Sequence, residues 1–110
     1  MTEEDTVLLD LNNPVFESNL FPLPKNEKIA ALDTFRKLML MTWVEVYCDK
    51  GLRWKKIVNV EPADGIHSIY SLRITQSCRA TAYRQGHCIR FLTIILPFLS
   101  QTMLTFYQKY

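Results

Sequence analysis

Alternating apolar and polar positions predict an antiparallel meander of three strands between Tyr70 and Ile95. We place the first loop at Gln76 to Cys78 and centre the second on Gln85 and Gly86. These turn-forming residues separate segments in which the character of the side chains alternates from one residue to the next. In this register, Arg79 lies opposite Thr75, and Tyr83 lies opposite Cys88. Thr81 of the middle strand lies between Arg73 on one side and Arg90 on the other.

The predicted meander has two chemically different faces. The arginine face is polar and basic and comprises Ser71, Arg73, Thr75, Arg79, Thr81, Tyr83 and Arg90. The apolar face comprises Tyr70, Leu72, Ile74, Ala80, Ala82, Ile89, Phe91, Thr93 and Ile95. A slip of one residue would mix the two sets, so their separation favours this arrangement. Leu92 and Ile94 fall on the arginine face, which predicts that this face is partly covered near the end of the third strand by the C-terminal segment.

The chain before the meander begins with a strand and a short helix. The run from Thr6 to Leu11 has β-type residues and ends at an Asn-Asn-Pro turn. Asn13 is a good N-cap and Pro14 suits the first helical position, so a helix is expected to about Phe21. An irregular loop is the alternative, because two prolines follow within three residues.

A longer amphipathic helix is predicted from Asn26, a candidate N-cap, to about Met41. Its apolar residues recur at spacings of three and four: Ile29, Leu32, Phe35, Leu38 and Met39. Charged residues lie between them, as on the surface helix of a globular protein. We expect this apolar stripe to cover the apolar face of the meander.

A third helix is predicted from Trp43 to Lys50. Thr42 and Glu45 have the spacing of a capping box, and Gly51 is a helix stop. Trp43, Val46 and Tyr47 would face inward. A strand is the alternative, since valine and tyrosine favour β structure. The basic stretch from residue 52 to residue 60 is expected to be a loop or an extended segment.

These elements predict a single α+β domain spanning residues 1–110, with a strand and helices packed on an antiparallel sheet of three to four strands. Residues 1–50 carry five Lys and Arg against nine Asp and Glu, whereas residues 51–110 carry eight against two. The basic half therefore contains the meander. A polyanionic partner is the functional interpretation of this asymmetry, and a solvated basic face without a partner is the alternative.

The remaining chemistry of the sequence is sparse. Cys48, Cys78 and Cys88 form no CxxC pair and the two histidines have no metal-like spacing, so we expect neither metal nor cofactor. We interpret all three cysteines as small apolar fillers in a reducing compartment. The acidic N-terminus does not resemble a signal peptide. An uncharged run of 18 residues follows Arg90, but proline and polar residues interrupt it, so we expect no membrane anchor.

The run Y-S-L-R-I at residues 70–74, followed by S-x-R-A-x-A-Y-R at residues 77–84, resembles the RelE/ParE superfamily of bacterial toxins. The order of strand, helices and arginine-bearing meander extends this resemblance over most of the chain. It implies the toxin of a type II toxin–antitoxin system in the cytoplasm. In the RNA-cutting branch, such toxins are ribosome-dependent endoribonucleases, or mRNA interferases, that inhibit translation.

The resemblance also implies roles for particular residues. Arg79 matches the family's arginine that supports the phosphate undergoing cleavage, and Arg73 keeps the charge of a family lysine. Ser71 occupies a second lysine position without a charge, and the basic residue after the third strand has no counterpart. Tyr107 is the candidate for the C-terminal acid or base. The remaining candidates, for RNA binding, are Arg90, Tyr83, Ser71, Lys55 and Lys56.

Two functions follow as expectations. One is an mRNA interferase that binds the ribosome and mRNA and is held by a cognate antitoxin, in a dimer or a toxin–antitoxin hetero-oligomer. The other is a non-catalytic protein of the same fold that acts by protein binding, as the gyrase-poisoning branch does, or that is inactive. The apolar tail after Ile95 would be a docking surface for a partner segment.

Overall fold

The computed structural model describes residues 5–58, 65–66 and 68–95. In these ranges the chain forms three helices and five strands. The helices are α1 (Pro14–Leu20), α2 (Lys25–Met39) and α3 (Trp43–Cys48). The strands are β1 (Leu8–Asp10), β2 (Lys55–Lys56), β3 (Tyr70–Arg73), β4 (Arg79–Gln85) and β5 (Cys88–Ile95). The predicted α+β class is confirmed. The predicted tail after Ile95 lies outside the described residues.

The five strands form one sheet in the order β1-β5-β4-β3-β2. Neighbouring strands are antiparallel except for β1, which runs parallel to β5. The sheet is larger than the meander because the first strand of the chain joins one edge and Lys55–Lys56 joins the other. The stretch from residue 52 to residue 60, expected to be a loop or an extended segment, therefore contributes a short edge strand.

Local sequence explains where each helix begins. The Asn13 side chain accepts hydrogen bonds from Val15 N at 2.9 Å and Phe16 N at 3.3 Å, with proline next in the chain, as predicted for α1. Helix α3 begins with the predicted capping box of Thr42 and Glu45. The predicted cap of α2 is wrong, because Asn26 is already helical and Pro24 is the N-cap residue. None of these helices is long and apolar enough to cross a membrane.

The core lies between the helices and the apolar face of the sheet. Phe91 of β5 packs on Phe16 and Phe35, with ring centroids 5.1 Å and 5.3 Å away. Cys78 is buried in this core as predicted, but Cys48 is exposed. Tyr47 also departs from the prediction, because about half of it is exposed at the end of the short helix α3.

The predicted register is wrong by two residues in both hairpins. Arg79 pairs with Arg73 instead of Thr75, because Ile74 N and Thr75 N both donate to Cys78 O and close a longer loop. In the second hairpin, Tyr83 pairs with Arg90. Here Gly86 adopts a φ of +62° in the two-residue turn, a conformation that suits glycine. Because side chains alternate with period two, these slips leave the predicted faces intact up to Phe91.

A β-bulge changes the faces beyond Phe91. Ala82 pairs with Phe91 but Thr81 pairs with Thr93, so Leu92 is an extra residue in β5. Ile94 therefore lies opposite Ala80 and joins the core. Thr93 and Ile95, predicted on the apolar face, lie opposite Thr81 and Arg79 on the arginine face instead. Strict alternation placed the apolar Ile94 on the arginine face, and the bulge turns it to the core instead.

Candidate anion-binding site

Three arginines meet on the side of the sheet opposite the helices. Arg73 and Arg79 are direct cross-strand partners on β3 and β4. The Arg79 guanidinium donates from Nη2 to the backbone oxygen of Arg53 at 3.3 Å. The segment that contains Arg53 is fixed to the sheet, because Arg73 N donates to Leu52 O at 2.7 Å. We call Arg53, Arg73 and Arg79 the arginine cluster.

Ser71 belongs to the same site as a neutral partner. Its Oγ accepts a second hydrogen bond from Arg79 Nη2 at 2.9 Å. The two acceptors hold the guanidinium of Arg79 on one side, toward β3 and the segment before β2. The resemblance implies a lysine at position 71. The neutral Ser71 adds no charge there, and it orients the guanidinium of Arg79 instead.

The electrostatics of the cluster are unfavourable without a counterion. Burial lowers the pKa of Arg79 below its ordinary value, and the neighbouring charges of Arg73 and Arg53 lower it further. Like charges directly opposite one another destabilise an antiparallel pair. Among the described residues, the ion pairs are Lys37 with Asp49 and Arg90 with Asp10, so none includes the cluster. A bound anion would relieve this repulsion.

The cluster includes one residue that the sequence interpretation missed. Arg53 has a φ of +51°, in the left-handed region that non-glycine residues rarely adopt. Residues held in this region cluster at functional sites, where surrounding contacts enforce them. The basic residues that follow Gly51 were the sequence signal for a cation in this segment. The segment is short and irregular, so its pattern of residues does not predict that Arg53 lies beside Arg79.

The two predicted lysines lie on different faces of the sheet. Lys55 pairs across the strands with Ser71 and therefore lies on the arginine face, whereas Lys56 pairs with Tyr70 on the helix-facing side. Both lysines are exposed. Lys55 extends the cationic surface from the cluster to the β2 edge, and Lys56 does not join it.

The other predicted residues are less directly connected to the cluster. Tyr83 lies on the arginine face of β4, opposite Arg90. Arg90 is already neutralised, because it forms an ion pair with Asp10 and a hydrogen bond to the Gln85 side chain. Tyr107, the candidate acid or base, lies outside the described residues.

The arrangement is suited to binding a phosphate group. Guanidinium groups donate several hydrogen bonds and match phosphate oxygens, and they stay protonated near neutral pH. No group of three His, Cys, Asp or Glu side chains in the described ranges is placed to hold a metal ion. The cluster supplies fixed positive charge, and Ser71 and Lys55 beside it supply further polar groups on the same face.

Comparison with known proteins supports the architecture. No family model matches the sequence, and no curated protein matches it. Among solved structures, it is similar to a chain in the crystal structure of the archaeal RelE-RelB complex from Pyrococcus horikoshii OT3. The TM-score is 0.51 at 17% sequence identity, and the match covers 84% of this chain and 94% of that chain. The helices and the five-stranded sheet described above thus form a RelE-like fold.

Proposed function

We propose that this protein is the toxin of a toxin–antitoxin pair and cleaves ribosome-bound mRNA. The observation that carries the proposal is the arginine cluster, in which Arg73 and Arg79 face each other across two strands. Arginines that form no ion pair with the described residues and lie side by side on a sheet favour a phosphate-rich ligand. Lys55, on the same face, would lengthen the contact along an RNA backbone.

The fold supports a protein partner as well. The similar solved structure is a complex of RelE with RelB. By this likeness, the present chain would be held inactive by an antitoxin and would act when the antitoxin is removed. A neighbouring reading frame that encodes a small acidic or DNA-binding protein would support this assignment.

The proposed reaction is cleavage of RNA by its own 2′-hydroxyl group. The 2′-oxygen forms a bond to phosphorus, the bond to the 5′-oxygen breaks, and a 2′,3′-cyclic phosphate results. Arg73 and Arg79 would stabilise the negative charge that develops on the phosphorane oxygens. One proton must leave the 2′-hydroxyl and one must reach the 5′-oxygen, so a base and an acid are also needed.

Arginine is a poor base, because it keeps its proton near neutral pH. Tyr83 on the arginine face and Tyr107 in the C-terminal segment are our candidates for the proton transfers. A second role for Tyr83, which lies on the same face four residues from Arg79 along β4, would be to stack on a base of the bound RNA. A phenylalanine at either position would keep the ring and remove the hydroxyl, which separates the two roles.

A non-catalytic protein of the same fold is the second candidate, and two observations favour it. Ser71 is uncharged at a position where the resemblance implies a lysine in the RNA-cutting branch. In addition, Arg90 is neutralised by Asp10. Such a protein would bind a protein target, as gyrase poisons do, or would be inactive. The arginine cluster would then contact an acidic protein surface or remain solvated.

Induced expression in bacteria tests the proposal. Growth and the 5′ ends of cellular mRNA are compared for the wild type, Arg79→Met and the matched control Arg84→Met. Arg84 lies on the same strand, but its guanidinium packs 3.9 Å from the Trp43 ring centroid, outside the cluster. We expect growth arrest with new 5′ ends inside coding regions for the wild type and Arg84→Met, and neither effect for Arg79→Met.

The other results separate the alternatives. Growth arrest without new mRNA ends would contradict cleavage and favour a protein target. Normal growth, with the wild-type protein shown to be folded and soluble, would contradict the toxin assignment. Equal loss of activity in both variants would show that Arg79 has no special role.

A further inference from the structure

The backbone carbonyl group of Arg53 holds the guanidinium of Arg79, and the residue that follows sets its direction. Arg79 Nη2 donates to this oxygen at 3.3 Å. The oxygen belongs to the peptide bond between Arg53 and Trp54, and a peptide bond is planar. The position of Trp54 therefore determines where the acceptor for Arg79 lies.

The backbone before this peptide bond is held by hydrogen bonds. Leu52 N donates to Asp49 Oδ1 at 2.9 Å, and Leu52 O accepts from Arg73 N at 2.7 Å. Arg53 itself has a φ of +51°, which is unfavourable for a residue with a Cβ atom. Such a conformation persists only where the surrounding structure enforces it. Leu52 is fixed on one side of Arg53, and Trp54 is fixed on the other.

Trp54 is anchored on the helix-facing side of the sheet, where it belongs to the hydrophobic core. Its ring stacks on Tyr70, with the centroids 4.7 Å apart and the planes at 17°. It also makes T-shaped contacts with two residues of α3, Trp43 at 5.4 Å and Tyr47 at 6.2 Å between centroids. Only 8% of Trp54 is exposed. The ring therefore has little freedom, and it anchors the backbone that carries the acceptor for Arg79.

The stacked ring, and not the indole N–H group, accounts for Trp54 at this position. In the described part of the chain, Trp54 Nε1 is buried and has no hydrogen-bond partner. Trp43 Nε1, by contrast, donates to His87 O at 3.0 Å. A buried donor without a partner is unfavourable, so the N–H group of Trp54 brings no benefit to the fold. Phenylalanine should therefore replace Trp54 in this role, whereas leucine should not.

We propose that Trp54 is a positioning residue for the arginine cluster: its stacked ring fixes the Arg53 carbonyl oxygen that orients the Arg79 guanidinium. The inference rests on the proposed binding of RNA phosphate and names the residue that prepares the cluster for it. Trp54 acts through Arg53 and Arg79 and makes no contact with RNA itself. A guanidinium that is already held loses less freedom on binding, so it binds more tightly than a mobile one. Ser71 Oγ remains as a second acceptor, so the loss of Trp54 should weaken RNA binding only in part.

The test measures the binding of a labelled single-stranded RNA by fluorescence anisotropy, with variants shown to be folded. Trp54→Leu and Trp54→Phe are compared with the matched control Phe16→Leu, which also replaces a buried ring but one that packs on Phe35 and Phe91. We expect about three- to tenfold weaker binding for Trp54→Leu, the effect of one net hydrogen bond. Trp54→Phe and Phe16→Leu should stay within about twofold of the wild type. Tyr70→Leu removes the stacking partner and should reproduce Trp54→Leu, and it takes the place of that variant if Trp54→Leu does not fold.

Two further measurements separate positioning from a general structural role. In the Arg79→Met background, Trp54→Leu should weaken RNA binding no further, because Trp54 acts through Arg79. In the protein without RNA, NMR of the Arg79 guanidinium measures how fast its two Nη groups exchange by rotation. Loss of the Arg53 acceptor should speed this rotation at least about threefold in Trp54→Leu. Trp54→Phe and Phe16→Leu should leave the rotation unchanged.

Several results would overturn the proposal. The first is wild-type RNA affinity together with unchanged guanidinium rotation in Trp54→Leu. The second is weaker binding that persists in the Arg79→Met background, which would mean that Trp54 acts on RNA by another route. Equal weakening by Phe16→Leu would show a general loss of structure. A wild type that binds no RNA would overturn the proposed function instead, and the guanidinium rotation in the free protein would then decide separately whether Trp54 orients Arg79.

Discussion

Replacing Arg79 with methionine should separate RNA binding from folding. Methionine keeps an unbranched side chain of similar reach but removes the charge and the two hydrogen bonds, to Ser71 Oγ and to the backbone oxygen of Arg53. Because Arg79 faces Arg73 directly, its removal also relieves a repulsion within the fold. We therefore expect a large effect on RNA binding and a smaller effect on stability.

The two effects on stability oppose each other. Each lost hydrogen bond costs roughly 0.5–1.5 kcal/mol. Relief of like-charge repulsion across the strands and with Arg53 returns about 0.2–1 kcal/mol for each pair, and solvent screening places the true value toward the lower end, since Arg79 is only partly buried. The free energy of unfolding should therefore fall by about 1–2 kcal/mol.

The effect on RNA binding has a specific signature. Loss of one phosphate contact should reduce the slope of log affinity against log salt by about 0.7 for a single strand. The affinity itself should fall roughly tenfold to a hundredfold, as expected for a hydrogen bond to a charged group of about 1.5–3 kcal/mol. Fluorescence anisotropy of a labelled RNA between about 50 and 200 mM salt measures both quantities, and urea unfolding measures stability.

Arg84→Met is the matched control, with the same charge change on the same strand. Its guanidinium packs on Trp43 and donates hydrogen bonds to Gly86 O and Tyr47 Oη, so the variant should lose about 1–2 kcal/mol of stability and keep the wild-type salt slope. Equal reduction of the slope in both variants would mean that binding follows net charge alone. That result would refute the assignment of a phosphate site to the arginine cluster.

Three further predictions concern the rest of the structure. Arg53→Gly should stabilise the protein by about 1 kcal/mol relative to Arg53→Ala in urea unfolding, because both remove the charge but only glycine accepts a positive φ without strain; equal stability would contradict this. Thr81 and Thr93 share a buried hydroxyl hydrogen bond of 2.6 Å, so either single change to valine should cost about 1–2 kcal/mol, while the double variant should cost less than the sum. Additive losses would contradict the pairing. Hydrogen bonds from Ser77 and Thr75 lower the pKa of Glu27 below its ordinary 4.5, so its stabilising effect should be complete above that pH and lost as pH falls through the lower folded-state pKa. The stability difference between wild type and Glu27→Gln should therefore vanish in acid, and a constant difference would contradict it.

Local signals determined much of the secondary structure. The caps of α1 and α3 depend on residues within one turn of the helix start, so Asn13 and Thr42 with Glu45 could be identified directly. The two faces of the meander were also predictable up to Phe91, because alternation depends only on the period of a strand. The limits of such signals appear at α2, where a proline and not the expected Asn26 precedes the first helical residue.

Tertiary structure decided the geometry of the site. A slip of two residues keeps the same side chains on each face, so the sequence could not distinguish Arg73 from Thr75 as the partner of Arg79. Loop hydrogen bonds made that choice, and it created the opposed arginine pair. The position of Arg53 depended on a positive φ and on contacts with β3 and β4, which are distant in the chain.

The sequence by itself determined that this protein has a basic sheet face, an apolar opposite face and helices to cover the latter, since these features follow from composition and local periodicity. Only the tertiary structure decided which cations meet, that Asp10 neutralises Arg90, and that β1 is the last strand of the described sheet. The physical reason is that periodicity defines which way a side chain points, whereas strand order and register define what it meets.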